Sequence, residues 1–199
     1  MPLYRAKVPF VLASASPRRQ EMLRRTGLEF QVKAAAVDEG RFPAESPEEY
    51  VLRVSGEKAK VISASVPETW VVAADTIVVL GSDILGKPED GAAALAMLKR
   101  LSGKRHRVLT AFCVRNVKQN RMISQLAETE VRFNDLSDEM LEAYVKTGDP
   151  LDKAGGYGIQ SFGGVLVKEI IGSYTNVVGL PLAELTNELL TLGIIASVL

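Results

Sequence analysis

Phe10-Val11-Leu12-Ala13-Ser14-Ala15-Ser16-Pro17-Arg18-Arg19 reads as a buried strand, a tight turn and the first turn of a helix. Phe10 to Ala13 are apolar. Ser16 followed by Pro17 is a hydroxyl N-cap with proline at the first helical position. Arg18 and Arg19 then fall where the helix macrodipole already places positive partial charge. On stability alone Asp or Glu belongs there, and the two arginines contribute nothing favourable to a ligand-free fold. Beside serine hydroxyls and unpaired backbone N–H groups they describe an anion site, and a phosphate fits it. The plain alternative is a solvated helix start that carries two arginines.

Reading outward, the first helix runs from Pro17 to Thr26 and stops at Gly27, and Leu28 to Val32 is predicted as a strand. The segment from Ala34 to Ser46 is polar and acidic. Ser46-Pro47-Glu48-Glu49 is a capping box that opens a helix through Val51, Val54, Lys58 and Ile62. Trp70 to Leu80 is too evenly apolar for a half-exposed strand and is predicted as a central one, with a short return at Ile84-Leu85. Asp90 caps a helix closed by Ser102-Gly103. Arg107 to Val117 and Met122 to Phe133 form a hairpin, and Ser137 caps a helix ending near Lys146. A long polar glycine-containing loop over Gly148 to Gly158, a strand over Val165 to Ile171 and a last helix over Leu182 to Leu192 complete the chain. The interleaving predicts an α/β fold with a long mixed sheet, flanking helices and a cleft. All 199 residues are expected to form a single domain of two lobes.

Composition narrows the function classes. Lys+Arg and Asp+Glu are 24 each, so the net charge is zero, which argues against a bulk electrostatic grip on nucleic acid or an anionic membrane. The one cysteine, Cys113, sits in an apolar run and suits a reducing cytoplasm. His106, among Lys104, Arg105 and Arg107, is expected to be exposed. No apolar run is long enough to span a membrane, and no secretory signal is read at the N-terminus.

Four further positions point to chemistry. Asp75 lies inside the most apolar strand, so it must be paired, bind a metal or face a cleft. Lys87 is held extended by Pro88 and can return to the same cleft. Glu39, in an acidic loop, could join Asp75 in holding Mg²⁺, the other reading being a solvated loop. Lys58 is an isolated helix lysine whose solvated reading is the stronger. The segment Leu151-Asp152-Lys153-Ala154-Gly155-Gly156-Tyr157-Gly158-Ile159-Gln160 lacks Walker A spacing, but could wrap a planar base with Gln160 at its edge.

Taken in order, Leu12 to Arg19, Ala74-Asp75-Thr76, Lys87-Pro88, Leu151 to Gln160 and the segment Gly172-Ser173-Tyr174 to Gly179-Leu180-Pro181 closely resemble the Maf family over nearly the whole chain. The resemblance implies a nucleoside triphosphate pyrophosphatase with the long curved mixed sheet of inosine triphosphatase-like enzymes and a site between two lobes. It implies that Ser14, Arg18 and Arg19 bind phosphate. Glu39, Lys58, Asp75 and Lys87 would form the catalytic and metal cluster, with Asp75 taking the proton of water. Arg18, Thr76 and Gln160 match the pattern of the branch that cleaves dTTP and UTP. A divalent cation, Mg²⁺ or Mn²⁺, and a homodimer are implied as well, while the cytoplasmic location is expected from the lone cysteine and the absence of a secretory signal. Two other classes stay open: a nucleotide-sensing regulator of septum formation, and a nucleic-acid binder using Arg18-Arg19 and Lys104 to Arg107. A pyrophosphatase for a modified nucleotide such as 7-methyl-GTP is the alternative within the enzyme class.

Overall fold

The computed structural model describes residues 2–198; residues 1 and 199, the two ends of the expected single domain, lie outside the described residues. The order is β1 (Tyr4–Ala6), β2 (Phe10–Leu12), α1 (Pro17–Arg25), β3 (Gln31–Val32), α2 (Pro47–Ser65), β4 (Trp70–Leu80), β5 (Asp83–Leu85) and α3 (Gly91–Leu101). Then follow β6 (Arg105–Asn116), β7 (Arg121–Phe133), α4 (Asp138–Lys146), three 3-10 turns between Asp149 and Leu166, β8 (Val167–Ile171), α5 (Tyr174–Val178), α6 (Leu182–Thr191) and β9 (Ile195–Ser197).

The main sheet has the hydrogen-bonded order β3-β2-β4-β6-β7-β8, with β5 on β4. β2 pairs parallel with β3 and β4, whereas β4–β5 and β7–β8 are antiparallel. The fold is therefore the mixed α/β arrangement expected. Parallel pairing follows from the crossovers through α1 and α2. Every predicted N-cap is present: the Ser16, Ser46, Asp90 and Ser137 side chains each accept a backbone N–H of the first turn, and Ser46 closes a full capping box with Glu49.

The chain divides into two compact units. The first takes in residues up to Asp75, Thr110–Ala127 and the chain from Gly179; the second takes in Thr76–Leu109 and Glu128–Val178. β4, β6 and β7 each run through both. The first unit packs Ala59 and Ile62 of α2 against Val11, Ala13, Val71, Ala73 and Cys113. The second is built on Val78, Leu98, Leu101, Phe133, Leu141, Tyr157 and Leu166. Among the described residues no helix is long and apolar enough to cross a membrane.

Four expectations change. The strand expected from Leu28 shrinks to Gln31–Val32, exposed at the sheet edge, while Phe30 stacks on Phe10 at 5.7 Å between centroids. The strand expected from Val165 starts at Val167, because residues from Phe162 coil into a 3-10 turn. β1 and β9, not read from the sequence, form their own two-stranded sheet with Tyr4 opposite Ser197. His106 is buried, 2% exposed, and hydrogen-bonds Tyr157 Oη at 2.8 Å. Its charged neighbours do not form a basic strip: Arg105 pairs with Glu130, and Arg107 with Glu128 at 3.2 Å.

Candidate active site

The first unit gathers six of the nine residues singled out from sequence. Ser14, 6% exposed, sits on the turn between β2 and α1. Its Oγ accepts from Ser16 N at 3.2 Å and from Arg19 Nη1 at 3.4 Å. A hydroxyl has two acceptor lone pairs and one donor. With both lone pairs engaged, Ser14 presents its O–H, the polarity an anion needs. Gln20 Nε2 donates to Ser14 O at 3.3 Å and ties the same turn to α1.

Arg19 is half-buried, and its Nε donates to Gly179 O at 2.7 Å, which fixes the guanidinium plane. This corrects the view that the arginines add nothing to the ligand-free fold: Arg19 joins the start of α1 to the segment before α6. It also gives a role to the Gly179-Leu180-Pro181 motif. Burial lowers the Arg19 pKa and the charge of Arg18 lowers it further, while Asp75 and Glu39 act in the opposite sense. Two like charges are thus held together at a helix N-terminus, close enough to two carboxylates to feel them.

Asp75 is 8% exposed, and its carboxylate is paired with the Lys58 ammonium. Lys58 Nζ lies 2.7 Å from Asp75 Oδ1 and 2.7 Å from Glu39 Oε1. The helix lysine, read as solvated, is in fact buried, and it gathers both carboxylates onto one cationic point. Leaving the charge of Asp75 or of Lys58 unpaired at such depth would cost about 3–5 kcal/mol.

Glu39 is carried by an exposed loop, and the residues that hold that loop were not found from sequence. Tyr50 Oη donates to Glu39 O at 2.8 Å. Burial, then the nearby charges of Asp75 and Glu39, push the Tyr50 phenol up to about 12. Arg53 Nη2 donates to Gly40 O at 2.8 Å, its Nε reaches Glu45 Oε1 at 2.6 Å, and its guanidinium lies 4.1 Å over the Phe42 ring. The one available signal was position: Tyr50 and Arg53 lie on α2, about two turns and about one and a half turns before Lys58.

Thr76, Lys87 and Gln160 belong to the second unit. Thr76 is half-buried on β4, Lys87 is exposed ahead of the buried Pro88, and Gln160 is exposed. Gly155 N donates to Gly86 O at 3.0 Å, which sets the glycine-rich segment beside Lys87. That segment is not the open polar loop expected. Gly155 to Gly158 are buried, and a Cβ at Gly155 would meet Val78 at 2.8 Å with φ at +72°. Its glycines serve close packing on β4 and on the turn itself.

Glu39 and Asp75 form a hard oxygen donor pair on one point, which suits Mg²⁺, an ion that keeps waters and takes one or two carboxylates together with substrate phosphates. Among the described residues no group of three or more His, Cys, Asp or Glu is placed to hold a metal by itself. A cation shared with a bound phosphate is the kind this donor set fits.

The family model described as Maf-like protein matches residues 9–192. The dTTP/UTP pyrophosphatase of Desulfotalea psychrophila is 49% identical over 98% of this chain and 100% of its own length. That of Geobacter metallireducens is 46% identical over 92% of this chain and 95% of its own. That of Anaeromyxobacter dehalogenans is 52% identical over 87% and 89%. The solved structure of the Staphylococcus aureus Ham1 protein aligns over 64% of this chain and 72% of that one, at 12% identity and a TM-score of 0.46.

Proposed function

The chain belongs to the Maf family, and from that premise we propose that it is a nucleoside triphosphate pyrophosphatase hydrolysing dTTP and UTP to the nucleoside monophosphate and pyrophosphate. The observation that carries the reading is the Lys58 ammonium at 2.7 Å from both Asp75 and Glu39, in the unit where Arg19 and Ser14 are locked at a helix N-terminus.

In this reading Ser14, Arg18 and Arg19 bind phosphate oxygens. The reaction forms a bond from water oxygen to the α-phosphorus and breaks the bond from that phosphorus to the oxygen bridging the β-phosphate. Pyrophosphate leaves with the electron pair, and the water proton passes to Asp75. Lys58 engages Oδ1 of Asp75, so Oδ2 is the oxygen that accepts it. Arg18, Arg19, Lys58 and Lys87 share the negative charge that develops on the phosphates. A Mg²⁺ or Mn²⁺ held by Asp75 and Glu39 would add neutralisation of that charge. Thr76 and Gln160 read the base, Gln160 pairing its amide with the O4 and N3–H edge that uracil and thymine share. The protein acts in the cytoplasm as a homodimer, with the nucleotide as its partner rather than nucleic acid or membrane.

Purified protein assayed for pyrophosphate release over a panel of nucleoside triphosphates tests this. Turnover of dTTP and UTP with added Mg²⁺ or Mn²⁺, lost in excess chelator while the circular dichroism spectrum stays unchanged, is expected. No pyrophosphate from any member of the panel would overturn the activity, and full turnover in chelator would remove the metal.

A further inference from the structure

Gln160 stands on an exposed turn, and reading one base edge requires its amide to face one way. A side-chain amide carries donor and acceptor at nearly equivalent places, so a small rotation lets it serve the opposite edge. Whatever fixes the turn therefore fixes the preference.

The turn is held by a network within the second unit. Tyr144 Oη, on α4, donates to Asp149 Oδ2 at 2.7 Å and accepts from Gly158 N at 3.2 Å. Ser161 Oγ lies 2.7 Å from the same Oδ2 and 3.0 Å from Gly158 O, so its single proton is shared between them. Ser161 N also donates to Gly158 O, at 3.2 Å. Lys153, 9% exposed, gives its three ammonium protons to Asp149 O at 2.6 Å, Asp149 Oδ1 at 3.0 Å and Asp152 Oδ1 at 2.6 Å. A lysine saturated in this way has no proton left for a phosphate, although it sits in the motif that resembles a nucleotide loop. Burial acts to raise the Asp149 pKa, but the hydrogen bonds from Tyr144, Ser161 and Lys153 outweigh it and hold the carboxyl below its usual range.

Steric packing adds to this. A Cβ on Gly158 would stand 2.5 Å from Ser161 Oγ and 2.6 Å from Lys153 Cε. On Gly163 it would stand 2.8 Å from both backbone N and O of Gly158 and from Tyr144 Oη, and on Gly164 2.8 Å from Ile159 O. Chain passing this close to itself has few alternative conformations. The bonds fall on Gly158 and Ser161, which bracket Gln160.

We propose that Asp149, acting through Tyr144 and Ser161 and anchored by Lys153, is the positioning residue for base selection: it locks the backbone on both sides of Gln160 so that the amide meets the uracil and thymine edge and not that of cytosine. The inference rests on Gln160 reading the base. Fixed supporting contacts are what make such an orientation selective, and a held amide leaves the wrong edge with unpaired polar groups.

The test compares kcat/KM for UTP and CTP in wild type, Ser161→Ala, Ser161→Thr, Tyr144→Phe and Gln160→Ala, with melting temperatures of each. Ser161 is exposed, so Ser161→Ala removes a hydroxyl without opening the core. Ser161→Ala and Tyr144→Phe are expected to lower the UTP-to-CTP ratio by roughly five- to tenfold, the scale of one hydrogen bond. The change should appear in KM for UTP with kcat nearly kept, and Ser161→Thr should restore the ratio. If Gln160→Ala collapses the ratio while Ser161→Ala and Tyr144→Phe leave it at the wild-type value, whatever their melting temperatures, the positioning role is overturned and the base reading stands. If Gln160→Ala itself leaves the ratio unchanged, the base reading falls and this inference falls with it. Should one of the two positioning variants fail to fold, the other decides.

Discussion

At Asp75 the demands of folding and of chemistry coincide. A carboxylate in the middle of a buried strand is tolerated because Lys58 donates to it at 2.7 Å. Asn in its place still accepts that hydrogen bond and has nearly the same shape, but it is too weak a base to take a proton from water. Asp75→Asn is expected to lower pyrophosphate release to below about a hundredth of wild type, the scale of a lost general base, with the melting temperature little changed. A rate above that level would remove Asp75 as proton acceptor. His106 shows a different consequence of burial. Burial pushes its pKa down from 6.5 to about 4. The neutral ring is therefore favoured in the folded state, and between pH 6.5 and 4 the unfolded chain binds the extra proton. Stability is fully present above pH 6.5 and is lost as pH falls toward 4, by about 3 kcal/mol in all. Urea unfolding at pH 7.5, 6 and 5, a range over which about 2 kcal/mol of this is lost, checks this against the double variant His106→Phe, Tyr157→Phe, which removes both hydrogen-bond partners and should flatten that limb by the same amount. The burial of His106 was legible in principle. Arg105, His106 and Arg107 begin β6, and strand alternation turns the middle residue inward while its neighbours face out; the charge of the run hid the period.

Among the elements, the best-read features are those decided within one turn of chain. The four N-caps were legible because cap side chain and capped N–H are three residues apart. β1 and β9 were not, because three residues carry too little pattern and each is defined by a partner at the other end of the chain. The same limit hid the support of Glu39. Its loop is read correctly as acidic and irregular, but its order comes from α2. Arg53 contacts Gly40 O, Glu45, Glu57 and the Phe42 ring at once, and no local pattern marks a helix arginine for that task. Arg53→Ala is expected to lower kcat/KM by about tenfold for every nucleotide alike, since it loosens the loop that brings Glu39 to Lys58. Arg53→Lys should recover little, because an ammonium can neither pair two oxygens of Glu45 in a fixed plane nor stack on Phe42 in the same way. Recovery of full activity by lysine would mean that charge alone, not the planar clamp, orders the loop.

At the scale of the whole molecule, most residues expected to do the chemistry and those expected to choose the base fall in different units of the chain. Ser14, Arg18, Arg19, Glu39, Lys58 and Asp75 lie in the first; Thr76 and Gln160 lie in the second, where Lys87 is the one residue of the catalytic group. Residue type and pattern made Asp75 and the arginines of the first group readable: a carboxylate inside an apolar strand and arginines at the wrong end of a helix both signal an unmet electrostatic demand, whereas Lys58, read on its own as a solvated helix lysine, was assigned only through the family resemblance. The second group was readable mainly through its resemblance to the Maf family, since a lone exposed glutamine states nothing by itself. This division predicts how variants separate in kinetics. Arg19→Ala removes a phosphate contact that every nucleoside triphosphate makes, so kcat/KM should fall by one common factor for dTTP, UTP, CTP and GTP. It should also lower the melting temperature of the ligand-free protein, because the Arg19 bond to Gly179 O goes with it. Gln160→Glu should do the reverse. Its carboxylate keeps the size of the amide but loses the donor that O4 of uracil or thymine needs, while it gains an acceptor for the cytosine amino group. UTP and dTTP should lose and CTP should gain relative to them, with stability unchanged because the side chain is exposed. Four substrates on wild type and the two variants give the needed table of rates. A common factor for Gln160→Glu, or a change of base preference for Arg19→Ala, would show that one group of residues serves both tasks.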